Sequence, residues 1–289
     1  MSSRGSAIAL GFFDGVHTAH QKLIRHTVEY SKENNLYPMV LSFDRSPMEV
    51  LCPERVSYLT ARKEKEEIIF SLGAKAEFLN VSKALLDMEA EQFIKEILVK
   101  KYNVKYAVCG YNYRFGKGGN GNTSLLAECG EKYGFKVKVM DCEILHGEII
   151  SSSRIRKLIA DGNIEEANEL LGRSFSLSGK VQEGKHLGRK IGFPTANVFL
   201  NEFAVIPKSG VYKTSVTVGD EKYNAITNTG INPTVGGEKL RTETYIPHFD
   251  GNVYGKEMRI EFLEFIRGEK KFGSLDELKH QIKEDITKL

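Results

Sequence analysis

Little in this chain is in excess, and each shortage removes a class of protein. Only 7 of the 289 residues are proline, against 27 glycines, which excludes collagen-like and Pro-rich material. Neither sign of charge dominates: 41 basic residues face 38 acidic ones, for a net charge of +3. Such a balance gives no large field for gripping nucleic acid or an anionic membrane, so both are excluded as partners and small molecules are favoured. No apolar run approaches the roughly 20 residues needed to span a bilayer. The most apolar stretch near the start, residues 7–13 (AIALGFF), runs into Asp14-Gly15 without a small-residue cleavage site. It therefore reads as a buried strand rather than a signal peptide. Cysteine is also sparse: Cys52, Cys109, Cys129 and Cys142 form no C-x-x-C pair and no short metal-ligand spacing. They are expected to stay reduced, as in a cytoplasm, with two of them inside apolar strands.

What is present is ordinary globular material, 41% hydrophobic and 27% charged, with length for two domains at about one per 150 residues. The two parts read differently. Up to residue 172, apolar runs at 7–12, 39–43, 106–110 and 135–140 alternate with helical patterns at 19–34, 61–72, 89–102 and 124–133. Thr60 is a candidate N-cap for the second of these helices, with Gly73 past its end. This βαβα rhythm predicts a parallel sheet covered on both faces. Helices at 153–160 and 164–171 close the first domain, 1–173. Beyond Gly172, alternating segments at 175–182, 210–218, 222–227, 242–246 and 258–265 are separated by Gly, Asn and Asp turns. They predict an antiparallel barrel or sandwich over 174–289, ending in a helix at 275–286 capped by Ser274. The fold class is thus α/β plus all-β.

The first strand ends in G-F-F-D-G-V-H-T-A-H, residues 11–20. Ligands of open parallel sheets lie beyond the carboxyl ends of the strands, and helix N-termini there hold anions. Two imidazoles three residues apart, His17 and His20, could both donate to one phosphate. The same pair could instead cap the helix, or belong to a metal site without its other ligands.

These residues resemble the H-x-G-H signature of nucleotidyltransferases, and the string GFFDGVH is similar to the opening of the prokaryotic bifunctional riboflavin kinase/FMN adenylyltransferase (FAD synthetase) family. Residues 110–116, G-Y-N-Y-R-F-G, resemble its G-x-[DN]-F-x-F-G loop. Residues 150–156, I-S-S-S-R-I-R, resemble its I-S-S-T-x-I-R motif. The resemblance implies a Rossmann-like nucleotidyltransferase domain in which His17, His20 and Arg156 act on ATP phosphates. Gly11, Asp14, Asn112, Ser152 and Ser153 would complete the nucleotide contacts. Positioning and charge neutralisation suffice for adenylyl transfer, and a guanidinium fork suits two phosphate oxygens. The chain departs from the family at Ala19, where glycine is usual, and at F-D-R-S-P (43–47), where F-x-P-H-P is usual. Both bear on rate and flavin preference. Tyr113 for phenylalanine and Ser153 for threonine are milder.

The densest motif is G-K-H-L-G-R-K-I-G-F-P-T-A-N, residues 184–197. Thr195 and Asn197, two apart on an extended segment, face the same way and suit a hard cation such as Mg²⁺ held with phosphates. A Gly-Pro loop with a polar turn is the plainer reading. The string resembles the riboflavin kinase motif G-x-x-x-G-R-x-x-G-F-P-T-A-N almost position for position, and implies a barrel of riboflavin kinase type with a terminal helix. By that resemblance Thr195 and Asn197 bind Mg²⁺ with ATP. Gly184, Gly188, Arg189 and Gly192 would line the nucleotide, Glu243 would be the base, and Tyr245 (histidine in the family) and Arg267 would contact flavin. A carboxylate base fits, because the ribityl hydroxyl must lose its proton as it attacks the γ-phosphorus. Glu243 can take that proton if it faces the cavity.

The expected activity is phosphorylation of riboflavin to FMN and adenylylation of FMN to FAD, with Mg²⁺ and ATP, in the cytoplasm. Two alternatives remain: one activity alone, with the kinase motif better preserved, or a flavin-binding regulator without turnover.

Overall fold

Ser6–Leu10 (β1) is buried at all five positions, as an apolar run without alternation requires of a central parallel strand. The computed structural model describes residues 4–51, 57–183, 188, 191–200, 203–234 and 237–289. Contacts divide the chain into two units, Met1–Val56 with Thr60–Ser151 and Ser57–Leu59 with Ser152–Leu289.

In the first unit, β1 is joined by β2 (Tyr37–Phe43), β3 (Lys75–Leu79), β4 (Val104–Gly110) and β5 (Lys136–Met140) in a parallel sheet of order β3-β2-β1-β4-β5. The helices are α1 (Thr18–Glu33), α2 (Pro47–Leu51), α3 (Arg62–Ser71), α4 (Lys83–Leu86), α5 (Ala90–Phe93, running on through Ile94–Lys101) and α6 (Thr123–Tyr133). A small antiparallel pair, β6 (Ile144–Leu145) and β7 (Glu148–Ile149), ends the unit. One face of the sheet buries Ile8, Leu10, Ala107 and Cys109 against Phe93, Ile94, Leu98 and Leu126. The other buries Ala7, Ala9, Val40 and Val108 against Leu23, Ile24, Val28 and Ile69. Both faces are covered, as the alternating rhythm predicts.

Some expectations are corrected. Strand β3 carries no strong apolar pattern: only Leu79 is buried, and Lys75 pairs with Glu77 at 2.6 Å along this sheet edge. Thr60 does not cap α3. Ala61 occupies the N-cap position, with no side-chain cap bond, and Thr60 is buried instead. Of the cysteines, Cys109 lies in a strand, its thiol pushed up to about 12 by burial, Cys129 lies in helix α6 and Cys142 is exposed in a loop. Cys52 lies outside the described residues.

The second unit opens with α7 (Ser152–Asp161) and α8 (Ile164–Leu171). Helix α8 packs on β8 (Phe175–Gln182) and β13 (Glu257–Gly268). With β9 (Thr195–Leu200), β10 (Gly210–Val218), β11 (Glu221–Thr234) and β12 (Gly237–Tyr245), these strands close a barrel of order β10-β11-β12-β9-β8-β13. By contacts, then, the division falls at Ser151/Ser152, before the helical pair, whereas the change in sequence pattern falls near 173.

The barrel interior is packed, not hollow. Tyr212, Thr214, Val216, Thr227, Thr242, Met258, Ile260 and Phe262 are fully buried. The inward hydroxyls satisfy one another: Thr227 Oγ1 lies 2.9 Å from that of Thr214 and 3.0 Å from that of Thr244. The last helix, α9 (Leu275–Ile286), is capped by Ser274, whose hydroxyl accepts from the Glu277 N–H at 3.2 Å.

Candidate active sites

In the first unit the strand order reverses between β1 and β4, which opens a crevice beyond their carboxyl ends. Both segments singled out in the sequence emerge there. After β1, the loop Gly11–His17 turns through positive φ at Phe13 (54°), Gly15 (80°) and Val16 (39°), and buries Asp14 and His17. It delivers two histidines to the start of α1, their rings stacked with centroids 3.5 Å apart. His17 is the N-cap: its Nδ1 accepts from the His20 backbone N–H at 3.3 Å. The capping reading and the phosphate reading are therefore compatible, because an accepting Nδ1 puts the proton of a neutral ring on Nε2, as a donor.

His20 differs. Its Nδ1 is buried without a hydrogen-bond partner among the described residues. Burial first, then the His17 ring and the Lys65 ammonium, hold its pKa well below the ordinary histidine value. The ring is neutral at pH 7, with a polar atom suited to a ligand. Lys65 on α3, which sequence reading passed over, is buried behind this loop. Its Nζ donates to the Phe12 carbonyl at 2.9 Å. The signal was available, since Lys65 stands four residues before buried Ile69 on the inward stripe of α3.

After β4, Asn112 is exposed on the glycine-rich loop. Phe115 anchors that loop by packing on the core at 5.8 Å from the Phe93 ring. Gly116 has φ +71°, and a Cβ there would stand 2.6 Å from the Ala90 Cα, so glycine is required. Tyr113, the departure from phenylalanine, stacks on Phe115 at 5.5 Å, and burial raises its pKa. The departures at 44–46 are built in as well. Asp44 accepts from the Val81 N–H, Arg45 donates to the Val81 carbonyl, and the Ser46 hydroxyl accepts from the Met48 N–H ahead of α2. Ser152, Ser153 and Arg156 begin α7 in the second unit. Arg156 is partly buried and its Nε donates to the Ser57 carbonyl at 3.0 Å, so it is not the solvent-facing residue its sequence position allows.

In the barrel, one row of register partners crosses six strands: Gln182, Asn197, Glu243, Asn228, Val211, Arg267. Thr195 lies opposite Tyr245 in the adjoining pair. Because Ala196, Val198, Thr242 and Thr244 fill the interior, alternation puts Thr195, Asn197, Glu243 and Tyr245 together on the outer face. Glu243 thus faces outward from the barrel, not into its filled centre. Its carboxylate is held by Arg241, two residues before it on the same face. Gly188 supports Thr195 from below: a Cβ at 188 would stand 2.3 Å from the Phe193 carbonyl and 3.3 Å from the Thr195 hydroxyl. Gly192 adopts φ +86°, and the Phe193 ring meets Tyr245 edge-on at 5.5 Å. Gly184 and Arg189 lie outside the described residues. Arg267 is neither a loose surface charge nor open to a ligand at its fork: Nε and Nη2 grip buried Asp285 of α9 at 3.0 and 2.7 Å.

A family model for FAD synthetase matches residues 1–154, and one for riboflavin kinase matches 171–289. Proteins named bifunctional riboflavin kinase/FMN adenylyltransferase match nearly end to end. The one from Buchnera aphidicola is 36% identical, over 97% of this chain and 92% of its own length. Those from Escherichia coli K12 and Listeria monocytogenes are 35% and 36% identical, over 97% and 96% of this chain and 90% and 89% of theirs. The chain belongs to this bifunctional family. A solved structure from Streptococcus pneumoniae, titled a macrolide-efflux protein, shares the architecture: TM-score 0.91, 32% identity, 99% of this chain and 94% of that one. Among the described residues no helix is long and apolar enough to cross a membrane.

Proposed function

We infer that the chain makes flavin cofactors in two steps. It is an enzyme that phosphorylates riboflavin to FMN with ATP and adenylylates FMN to FAD with release of pyrophosphate. The observation that supports the first step best is the pairing of Asn197 with Glu243 across β9 and β12.

We assign the base role in the kinase step to Glu243. Its carboxylate takes the proton of the ribityl 5′-hydroxyl as that oxygen attacks the γ-phosphorus and ADP departs. Arg241 holds the carboxylate by its ion pair. Thr195 and Asn197 offer hard oxygen donors beside it. That donor set fits Mg²⁺ shared with ATP phosphates, and no cluster of three carboxylate, His or Cys ligands occurs among the described residues. Held there, such a cation would supply charge neutralisation on the transferred phosphate. Tyr245, beside Phe193, borders the flavin, and Gly188 and Gly192 shape the nucleotide loop. Arg267 contributes through α9, by fixing that helix through its residue Asp285.

For adenylyl transfer, His17 and His20 hold ATP phosphates while an FMN phosphate oxygen attacks the α-phosphorus and pyrophosphate leaves. No covalent enzyme intermediate is needed. Gly11 and Asp14 shape this loop, and Asn112 orients substrate from across the crevice. For Ser152, Ser153 and Arg156 the reading rests on the motif they form. The functional boundary is placed near 173, and the enzyme works in the cytoplasm, where both its substrates and its reduced thiols belong.

The test is direct. Incubate the full chain with Mg-ATP and either riboflavin or FMN, and resolve the flavins by chromatography. FMN from riboflavin and FAD from FMN are expected. Absence of either product removes the corresponding half of the reading.

A further inference from the structure

Lys65 has no part in the chemistry above, yet it is 4% exposed, and lysine is rarely buried without a task. Its Nζ donates to the Phe12 carbonyl and lies 4.2 Å from the centre of the Phe12 ring. The charged groups that act on it are Asp14, which stabilises the ammonium, and Arg62, which opposes it. It in turn disfavours a proton on His20, beside His17. The loop it grips holds Phe13, Gly15 and Val16 at positive φ, a backbone that persists only where its surroundings fix it. That same loop sets the two histidines.

We propose that Lys65 is a positioning residue for adenylyl transfer, a buried cation that braces the loop between β1 and α1 through the Phe12 carbonyl and keeps a fixed positive charge behind His20. This rests on the adenylyltransferase reading. A phosphate brought to His20 then meets a neutral donor backed by a cation that water does not screen, where charge acts more strongly than in solvent. Burial lowers the ammonium to about 8, despite Asp14. The positive charge is therefore lost as pH rises past that value, and an arginine in its place would keep it.

The experiment compares wild type, Lys65→Met and Lys65→Arg in the full chain. FAD formation from FMN is followed across pH 7 to 10, and riboflavin phosphorylation serves as the internal control. Wild-type FAD formation is expected first, since without it the adenylyltransferase reading itself fails. Given that activity, Lys65→Met should lower its kcat about tenfold or more, with phosphorylation within about twofold. Lys65→Arg should restore most of the rate and remove the alkaline limb near pH 8. Should Lys65→Arg unfold, the Lys65→Met profile decides, because its residual rate should be flat through pH 8. A Lys65→Met enzyme with undiminished FAD formation overturns the proposal, as does an alkaline limb that persists in the variants.

Discussion

Asn197 on β9 stands directly opposite Glu243 on β12, in antiparallel register and on the outer face of the barrel. Opposed side chains in such a pair are about 5 Å apart at Cβ, close enough for one phosphate to meet both a cation-binding oxygen and a base.

Replacing that base tests the pairing. Glu243→Gln keeps the shape of the side chain and removes its proton affinity. Riboflavin phosphorylation should fall by about 10² to 10⁴, while FAD formation from added FMN should change less than about twofold. Steady-state rates with each flavin measure both.

Asn197→Ala should act through the cation. The apparent Mg²⁺ requirement of phosphorylation is expected to rise about tenfold or more, and excess Mg²⁺ should recover part of the rate. A magnesium titration at fixed ATP reads this. A defect that no Mg²⁺ concentration relieves would remove the metal role from Asn197.

His20→Ala should lower FAD formation by about 10² to 10³ with phosphorylation intact. It should also weaken pyrophosphate binding, measured by calorimetry, because it deletes the buried Nδ1 that has no partner among the described residues.

Gly116→Ala should destabilise the first unit by about 2 kcal/mol or more, since alanine is strained at φ +71° and its methyl meets Ala90. Urea unfolding of the full chain checks this, with the barrel transition expected to stay in place.

Linkage at Lys65 has a definite sign. Its ammonium is lowered from 10.5 to about 8, so between those values the unfolded chain binds the extra proton and stability rises with pH. Relative to Lys65→Met, wild type should gain up to about 3 kcal/mol across that window, measured by unfolding at each pH.

Much of this was legible beforehand for a physical reason. Apolar runs such as residues 7–12 and patterned helices such as 19–34 report burial directly. The glycines of the motif at 184–197 mark a loop where the backbone is crowded: a Cβ at Gly188 would stand 2.3 Å from the Phe193 carbonyl. Edge strand β3 was missed because it buries little. Thr60 looked like a cap but is buried instead, since tertiary packing overrode a local preference. Alternation told which side chains share a face with Glu243, but not that the opposite face fills the barrel. Lys65 escaped notice because one lysine in a helix with several others looks solvated until its depth is known.

The central claim is that two separate phosphate chemistries act on one flavin. Riboflavin incubated with Mg-ATP labelled at the γ-phosphorus should yield labelled FMN, and FMN supplied with ATP labelled at the α-phosphorus should yield FAD labelled in its AMP half. In Glu243→Gln the first transfer alone should be lost, and in His20→Ala the second alone. Label that fails to reach either product, or a single substitution that abolishes both transfers in a folded chain, would contradict the account.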